Sequence, residues 1–211
     1  MAKLYFYYAS MNAGKSTYLL QADFNYRERG MATMLWTADV DDRSQQHAIE
    51  SRIGLGAEAR RFDAGTDLWQ AVTAHHAAQR LSCVLIDEAQ FLTPEQAWQC
   101  ARLADFADIP VLCFGLRTDF QGNLFPGSAV LLGIADKLVE HKAVCHCGSK
   151  ATMNLRVDAG GDAVQDGSQT LIGGNERYVP LCRRHFSMAR NGWSALSRDE
   201  PLQVGITAVH A

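Results

Sequence analysis

The chain is organised around the segment Ala9-Ser10-Met11-Asn12-Ala13-Gly14-Lys15-Ser16, which follows the apolar run Leu4–Tyr8 and opens the helical run Thr17–Leu20. A buried strand, a tight loop of small residues, Gly-Lys-Ser and a helix, in this order, predict a phosphate-binding P-loop. Free N–H groups at the start of the helix point at an anion, and the positive end of the helix dipole favours it. We therefore expect Lys15 to reach the outer phosphates of a nucleotide and the Ser16 hydroxyl to ligate Mg²⁺.

One position departs from the usual P-loop pattern, because Ala9 stands where the first glycine is usual. If that position needs a positive φ, the methyl group of Ala9 costs about 1–2 kcal/mol, a strain that the loop can survive. The alternative interpretation is a chance loop in front of a helix.

Composition and charge limit the class of protein. The 211 residues are 47% hydrophobic, which suffices for one domain, or for one domain with an appendage. The N-terminal apolar run of about five residues enters the P-loop directly, so we expect neither a signal peptide nor a membrane anchor. The net charge is −3, with acids and bases mixed along the chain, which does not favour an extended nucleic-acid surface. We expect a P-loop protein of this kind to use ATP in the cytosol, where its six cysteines indicate metal binding and core packing rather than disulfides.

Helical and strand-like segments alternate after the P-loop, as a parallel sheet with covering helices requires. A charged loop that contains Asp41 and Arg43 follows the second strand, at the edge where open α/β sheets bind ligands, although a solvated turn would look the same. His75 and His76 are adjacent on a helix and cannot chelate one ion, so we interpret them as surface or packing residues. The predicted segments are a helix over 16–29, a strand over 33–37, a short strand or loop over 57–62, a helix over 68–79 and a strand over 109–115.

A second motif, Ser82-Cys83-Val84-Leu85-Ile86-Asp87-Glu88-Ala89-Gln90-Phe91, predicts a buried strand that ends in two carboxylates. This is a Walker B arrangement, in which Asp87 holds Mg²⁺ and Glu88 lies near the reacting γ-phosphate. The alternative is a strand that ends in a solvated acidic turn. The segment Thr93-Pro94-Glu95-Gln96 then predicts a capping box at the start of the next helix.

The last third of the chain holds two groups of metal-ligand residues, Cys145-His146-Cys147 and Cys182-Arg183-Arg184-His185. A small β-ribbon can bring such pairs together as a closed tetrahedral zinc site, worth about 10–16 kcal/mol in comparable modules. His146 competes with His185 as the nitrogen ligand, and the spacing from Cys182 favours His185. A disulfide among the three cysteines would leave one thiol unpaired. The remaining cysteines lie in apolar contexts and receive no chemical role; they are Cys83, Cys100 and Cys113.

Together, these motifs resemble the zinc-containing cytosolic class of thymidine kinases. The resemblance rests on Met11–Ser16, Ile86–Phe91, Gly115–Phe120, the Cys/His quartet and Ile172–Tyr178, which occur in family order. It implies an α/β fold, with a P-loop (RecA-like) parallel sheet, flanking helices and a small zinc-binding β-ribbon called the lasso. The implied domains are a nucleotide-binding domain over 1–140 and a lasso domain over 141–192. The resemblance ends near Arg190, and we expect residues 193–211 to form a mobile C-terminal tail.

The resemblance also implies a reaction, the transfer of the ATP γ-phosphate to the 5′-hydroxyl of thymidine, and of deoxyuridine, with Glu88 as the catalytic base. ATP would contact Ala9, Ser10, Met11, Asn12, Ala13, Gly14, Lys15, Ser16, Asp87, Glu88, Ala89 and Gln90. The nucleoside would contact Met11, Asp41, Arg43, Glu88, Phe91, Leu116, Phe120, Phe125, Asn154, Leu171, Gly173 and Tyr178. Zinc would bind Cys145, Cys147, Cys182 and His185, and Mg²⁺ would bind Ser16 and Asp87.

Two features of the family pattern leave alternatives open. Cys-x-Cys with Cys-x-x-His replaces the two Cys-x-x-Cys pairs of many members, which bears on the ligand set. Phe120 and Phe125 have a plain core interpretation, since aromatic residues after strands often only pack. The resemblance further implies a cytoplasmic homotetramer that is inhibited by dTTP. From the mixed charge and the lack of a long apolar run, we expect the chain to bind neither nucleic acid nor a membrane.

Two other functions fit parts of the sequence. The Asp-Glu-Ala-Gln run also resembles the acidic box of helicase-type ATPases, but those motors normally use two such domains and a basic track. The other alternative is a nucleotide-binding regulator with a zinc module and no catalytic turnover. The position of Glu88, where a catalytic base would act, argues against it.

Overall fold

The computed structural model of the chain describes residues 1–39, 48–169 and 177–192. Its strands are β1 (Leu4–Ala9), β2 (Thr33–Ala38), β3 (Ala48–Glu50), β4 (Gly56–Glu58), β5 (Arg60–Phe62), β6 (Cys83–Ile86), β7 (Val111–Leu116), β8 (Lys137–Glu140), β9 (Ala143–Val144), β10 (Lys150–Ala151), β11 (Met153–Arg156) and β12 (Tyr178–Leu181). Its helices are α1 (Lys15–Glu28), α2 (Leu68–Ala78), α3 (Pro94–Ala107), α4 (Pro126–Ile134) and α5 (Arg183–Asn191), with one 3₁₀ turn at Ala89–Phe91.

Residue packing divides the chain into two compact units. Of the described residues, the first unit contains those within 1–9, 13–117 and 124–141, and the second contains 10–12 and 118–123 together with those from Lys142 onward. The centre of the predicted P-loop therefore packs with the residues that carry the zinc-ligand pattern.

The first unit is built on a six-stranded sheet in the order β5-β2-β6-β7-β1-β8, and its neighbouring strands are parallel. β6 is buried along its whole length, as a central strand with both faces covered must be. β1 shows the two-residue period of a strand, since Leu4 and Phe6 enter one apolar cluster and Tyr7 enters the other. The predicted parallel α/β sheet with flanking helices is confirmed.

Helices cover both faces of this sheet. α1 packs Leu19 and Leu20 into the cluster that contains Tyr7, whereas α2, α3 and α4 contribute Leu68, Leu103 and other side chains to the cluster around Phe6. No helix within the described ranges is long and apolar enough to cross a membrane.

The start of α3 has the predicted capping box. The Thr93 hydroxyl accepts from the Gln96 N–H at 3.1 Å, and the Gln96 side chain accepts from the Thr93 N–H at 3.0 Å. Gln96 is buried, and its amide nitrogen also donates to the carbonyls of Asp63 and Thr66. The cap therefore joins the helix to the turn in front of α2.

The second unit contains two short antiparallel ribbons, β9 with β10 and β11 with β12. α5 follows β12 directly, with Cys182 at its N-cap position. Arg156 holds the chain beyond β11 by donating to the carbonyls of Asp166 and Ser168.

Candidate active site and metal centre

Three neighbouring strands end at one edge of the sheet of the first unit. The last residues of β1 and β7, Ala9 and Leu116, are register partners, and β6 pairs with β7 on the other side. The P-loop follows β1 and Asp87 follows β6, so both predicted motifs leave the sheet at its carboxyl edge. This is where ligands bind in open α/β sheets.

The P-loop reaches α1 through Gly14, the N-cap residue, which has φ 75° and ψ 21°. Ala9 lies in β1, and the non-glycine residue of the loop with a positive φ is Asn12, at 62°. Asparagine tolerates this region well. The strain considered for Ala9 is therefore absent, because Ala9 has the extended backbone of a strand and the positive φ falls on Asn12 instead.

A hydrogen bond joins the two motifs. The Ser16 hydroxyl donates to Oδ2 of Asp87 at 2.9 Å, although the residues are 71 positions apart in the chain. Burial raises the pKa of Asp87 to about 7, with the Glu88 charge acting in the same direction and Ser16 acting against it. A buried carboxylate beside a hydroxyl offers two hard oxygen ligands, which suits Mg²⁺.

Lys15, the first residue of α1, is half-buried. Removal from water lowers the pKa of its ammonium group, while the charges of Glu88 and Asp87 act to raise it. The lysine and the two acids therefore share one electrostatic environment, as a site for a charged phosphate group requires.

Glu88 is held through both its backbone and its side chain. Its φ of 53° is unusual for a residue with a side chain, and its N–H donates to Oδ1 of Asp87 at 3.0 Å. Gln90, which is 1% exposed, donates to Oε2 of Glu88 at 2.5 Å and accepts from the Leu116 N–H at 2.9 Å. Gln90 thus ties the Glu88 carboxylate to the end of β7. Strained backbone of this kind concentrates at functional sites.

His141 is a neighbour of this group that the sequence pattern does not reveal. It follows β8, and its ring lies 4.9 Å from the ring of Tyr18 and 5.7 Å from that of Tyr7. Within the described residues its buried Nε2 atom has no hydrogen-bond partner. Burial lowers the pKa of His141, and the nearby Lys15 charge lowers it further. No local motif marks this histidine, because β8 brings it to the P-loop by tertiary pairing.

Besides Glu88, three residues predicted to contact the nucleoside belong to the first unit. The rings of Phe91 and Phe125 meet edge to face, with centroids 5.8 Å apart, and Leu116 ends β7. Phe125 is 4% exposed and Phe91 is half-buried. The structure therefore brings the two aromatic side chains together next to the 3₁₀ turn that carries Gln90.

Four further predicted residues belong to the second unit. Asn154 is 3% exposed, and its side chain accepts from the Met11 N–H at 2.7 Å. Phe120 is 1% exposed and lies 3.7 Å beneath the Arg156 guanidinium. Tyr178 is the register partner of Arg156 in the β11–β12 ribbon. The predicted contacts Asp41, Arg43, Leu171 and Gly173, and the predicted tail over 193–211, lie outside the described residues.

The four predicted zinc ligands converge. The ligand atoms of Cys145, Cys147, Cys182 and His185 all lie within 4.8 Å of one another. Nδ1 of His185 is 3.4 Å from the Cys145 sulfur and 3.3 Å from the Cys182 sulfur, and the Cys147 and Cys182 sulfurs are 4.0 Å apart. Tetrahedral zinc with ordinary bond lengths needs separations of about 3.5–3.8 Å, so this cluster can bind zinc.

The chemistry of the cluster supports the same conclusion. A hydrogen bond with the Ser149 side chain lowers the pKa of Cys147 to about 7, which favours the thiolate that binds metal. His146 also lies near the cluster, with its Nδ1 3.7 Å from the Cys145 sulfur, but it is exposed, whereas His185 is buried. The geometry therefore favours His185 as the nitrogen ligand.

Comparisons with known proteins agree with these observations. The family model for thymidine kinase matches residues 2–186. A thymidine kinase of Novosphingobium aromaticivorans is 78% identical over 189 residues, which cover 90% of this chain and 98% of that protein. Thymidine kinases of Zymomonas mobilis and Colwellia psychrerythraea are 63% and 56% identical over 186 residues each, 88% of this chain and 96% and 97% of those proteins. The family match includes the P-loop, the acids after β6 and the Cys/His cluster.

Proposed function

Because the chain belongs to the thymidine kinase family, it phosphorylates thymidine with ATP in nucleotide salvage, and we propose that the residues around Lys15 and Glu88 carry the transfer to the 5′-hydroxyl. The observation that chiefly supports this assignment is the hydrogen bond between Ser16 and Asp87. It joins the P-loop to the acids after β6, so the groups needed for phosphoryl transfer belong to one assembly.

The phosphate groups of ATP lie, in this proposal, against the loop from Ala9 to Ser16, with Lys15 at the outer phosphates. Ser16 and Asp87 would hold Mg²⁺, which supplies charge neutralisation on the β- and γ-phosphates when bound. Ala89 and Gln90 complete the assigned contacts on the β6 side. The half-burial of Lys15 supports this role, because a desolvated cation interacts more strongly with an anion than an exposed one.

Glu88 accepts the proton of the 5′-hydroxyl as that oxygen attacks the γ-phosphorus and the bond from this phosphorus to the β-phosphate oxygen breaks, releasing ADP, while Gln90 orients the carboxylate. A general base contributes about 10²–10⁴-fold, whereas alignment of the reactants supplies about 7–11 kcal/mol. Positioning is therefore the larger contribution. The positive φ of Glu88 and its contact with Gln90 support a preset carboxylate.

The nucleoside contacts are proposed from the family resemblance, and deoxyuridine is proposed as a second acceptor on the same ground. They are Met11, Asp41, Arg43, Glu88, Phe91, Leu116, Phe120, Phe125, Asn154, Leu171, Gly173 and Tyr178. The edge-to-face contact between Phe91 and Phe125 supports an aromatic wall. For Phe120 the deep burial under Arg156 agrees equally with a core role.

Zinc is proposed as a structural ion held by Cys145, Cys147, Cys182 and His185, with no ligand position left for chemistry. A cytoplasmic homotetramer and feedback inhibition by dTTP are also proposed, on the resemblance alone. The domain boundary after residue 140 remains a proposal as well.

The test of the reaction is an incubation of the protein with ATP, Mg²⁺ and a panel of nucleosides, followed by detection of the monophosphates. We expect dTMP from thymidine and a smaller yield from the purine nucleosides. ATP hydrolysis that DNA or RNA stimulates and thymidine does not would instead support the helicase-type alternative. ATP binding without any phosphorylated nucleoside would support the regulator.

A further inference from the structure

The centre of the P-loop, residues 10–12, belongs to the second unit and is hydrogen-bonded to other residues of that unit. The Met11 N–H donates to Oδ1 of Asn154 at 2.7 Å, and the Ser10 hydroxyl donates to the Ala151 carbonyl at 3.3 Å. Both acceptors lie on or next to the ribbon strands, more than 140 positions along the chain from the loop. Two consecutive loop residues are therefore fixed by tertiary hydrogen bonds.

The Asn154 side chain uses both ends of its amide on backbone groups. While Oδ1 accepts from Met11, Nδ2 donates to the Thr118 carbonyl at 3.4 Å. The residue is 3% exposed, so water does not replace these partners. An amide buried in this way bridges three segments, namely the P-loop, the segment after β7 and β11.

The bridge is closely connected to the Cys/His cluster. Asn154 pairs with Pro180 of β12, and β12 leads within two residues to Cys182. On the other ribbon, Ala151 pairs with Ala143, two residues before Cys145. Each residue that accepts a hydrogen bond from the loop is therefore paired, across its ribbon, with a residue two positions before a cysteine of the cluster.

From these contacts we propose that Asn154 is a positioning residue for the phosphate-binding loop, which presets the loop by holding the Met11 N–H. Lys15 follows Met11 by four residues, and Asn12 between them already has a left-handed φ. Fixing Met11 removes conformations that the loop would otherwise have to lose when ATP binds. The proposal rests on the phosphate-binding role assigned to the loop, and it makes Met11 a donor to protein rather than to phosphate.

Asn154→Leu tests this role, because leucine keeps a branched side chain of similar length and removes both hydrogen bonds. We expect the Kd for a non-hydrolysable ATP analogue to rise about tenfold, the effect of roughly one lost hydrogen bond. Hydrogen exchange of the peptide that contains Ser10–Asn12 should become faster in the same variant. Asn154→Asp keeps the acceptor for Met11 and should restore most of the slow exchange.

Gln121→Leu is the matched control, since this amide lies in the same unit and donates to the Gln165 carbonyl instead of to the P-loop. It should leave both the analogue affinity and the exchange of the loop unchanged. Zinc content is measured in every variant. If Asn154→Leu loses zinc, Ser10→Ala decides the question, with an expected two- to threefold rise in the analogue Kd at full zinc content.

An unchanged analogue Kd and unchanged loop exchange in Asn154→Leu, with a raised KM for thymidine, would overturn the proposal. Asn154 would then be a nucleoside contact, as the family resemblance implies. Failure of the proposed function looks different, because the wild-type protein itself would then neither bind the ATP analogue nor phosphorylate thymidine.

Discussion

Glu88 has a side chain that can accept a proton and a backbone that fixes where the side chain points. We expect Glu88→Gln to lower kcat by about 10²–10⁴-fold, because the amide cannot act as a base. ATP affinity should remain nearly unchanged, since the phosphate contacts are assigned to the P-loop. Steady-state kinetics and equilibrium binding of an ATP analogue measure the two quantities separately.

The matched control is Glu95→Gln, the same chemical change at an exposed residue in the first turn of α3. It should leave kcat at the wild-type value. Turnover of Glu88→Gln close to that of the wild type would exclude Glu88 as the base and shift attention to Asp87.

His141 gives the stability a pH dependence whose sign follows from its surroundings. Burial and the Lys15 charge lower the pKa of the folded state, and the Tyr7 and Tyr18 rings complete the environment. The stabilisation is therefore fully present above the unfolded pKa of about 6.5 and is lost as the pH falls through the lower folded value. His141→Phe removes this group, so its Tm should fall less between about pH 7.5 and 5.5 than the Tm of the wild type.

Thermal unfolding followed by circular dichroism at both pH values measures this difference. Comparison of the two proteins cancels the effect of acid on the Cys/His cluster, because the cluster is the same in both. Equal losses of Tm would mean that His141 stays solvated or finds a hydrogen-bond partner when it becomes charged.

Among the secondary-structure elements, the N-terminal cap of α3 makes a contribution to stability that can be measured. Thr93→Ala removes the acceptor for the Gln96 N–H, so we expect the free energy of unfolding to fall by about 1 kcal/mol. Urea unfolding measures the change. Thr73→Ala is the control, because Thr73 lies within α2 and its hydroxyl bonds back to the Trp69 carbonyl, so its loss should have little effect. A loss as large as that of Thr93→Ala would show that the cap has no special role.

The long helices and the buried strands could be predicted from sequence, whereas two elements near the middle of the chain could not. α1 follows from the P-loop before it and Gly30 after it, α2 from the capping residue in front of it, and β6 from its continuous apolar run. The helix ends differ by at most one residue from the prediction. α4 begins Pro126-Gly127-Ser128, a run that reads as a turn and becomes helical only because Pro126 takes the N1 position. β8 has charged residues at both ends and is recognised only by its pairing with β1.

For the whole molecule, the Cys/His cluster is expected to carry a large share of the stability of the second unit. Cys182→Ser should reduce the zinc content from about one ion per chain to nearly none, and lower the Tm, because structural zinc sites contribute folding free energy directly. Elemental analysis and thermal unfolding measure the two effects. Cys100→Ala is the control, since this cysteine is buried in the first unit and should keep the zinc even where it lowers the Tm. Full zinc content in Cys182→Ser would remove that residue from the ligand set.

The parts of the candidate site that could be predicted from sequence are those whose residues lie close together in the chain. Gly14-Lys15-Ser16, Asp87-Glu88 and the two Cys/His groups each need only a few consecutive residues. The hydrogen bond between Asn154 and Met11 joins positions 143 apart, and His141, whose N–H donates to the Tyr8 carbonyl beside the β1–β8 pair, feels the charge of Lys15. Neither relation leaves a periodic or local signal in the sequence, so both could be found only from the three-dimensional structure.

The glycines of the first unit restrict which substitutions can raise the thermal stability of this kinase for use in preparative nucleotide synthesis. Replacing glycine by alanine often adds about 0.4–1 kcal/mol of stability where the methyl group fits, and Gly133, in α4 with open space around it, meets that condition. A methyl group on Gly115 would lie 2.8 Å from Oε1 of Gln90, and one on Gly127 would lie 2.5 Å from the Leu92 carbonyl oxygen. A consensus or library design should therefore mutate position 133 and leave 115 and 127 untouched, since a methyl group at 115 would dislodge the glutamine that orients Glu88.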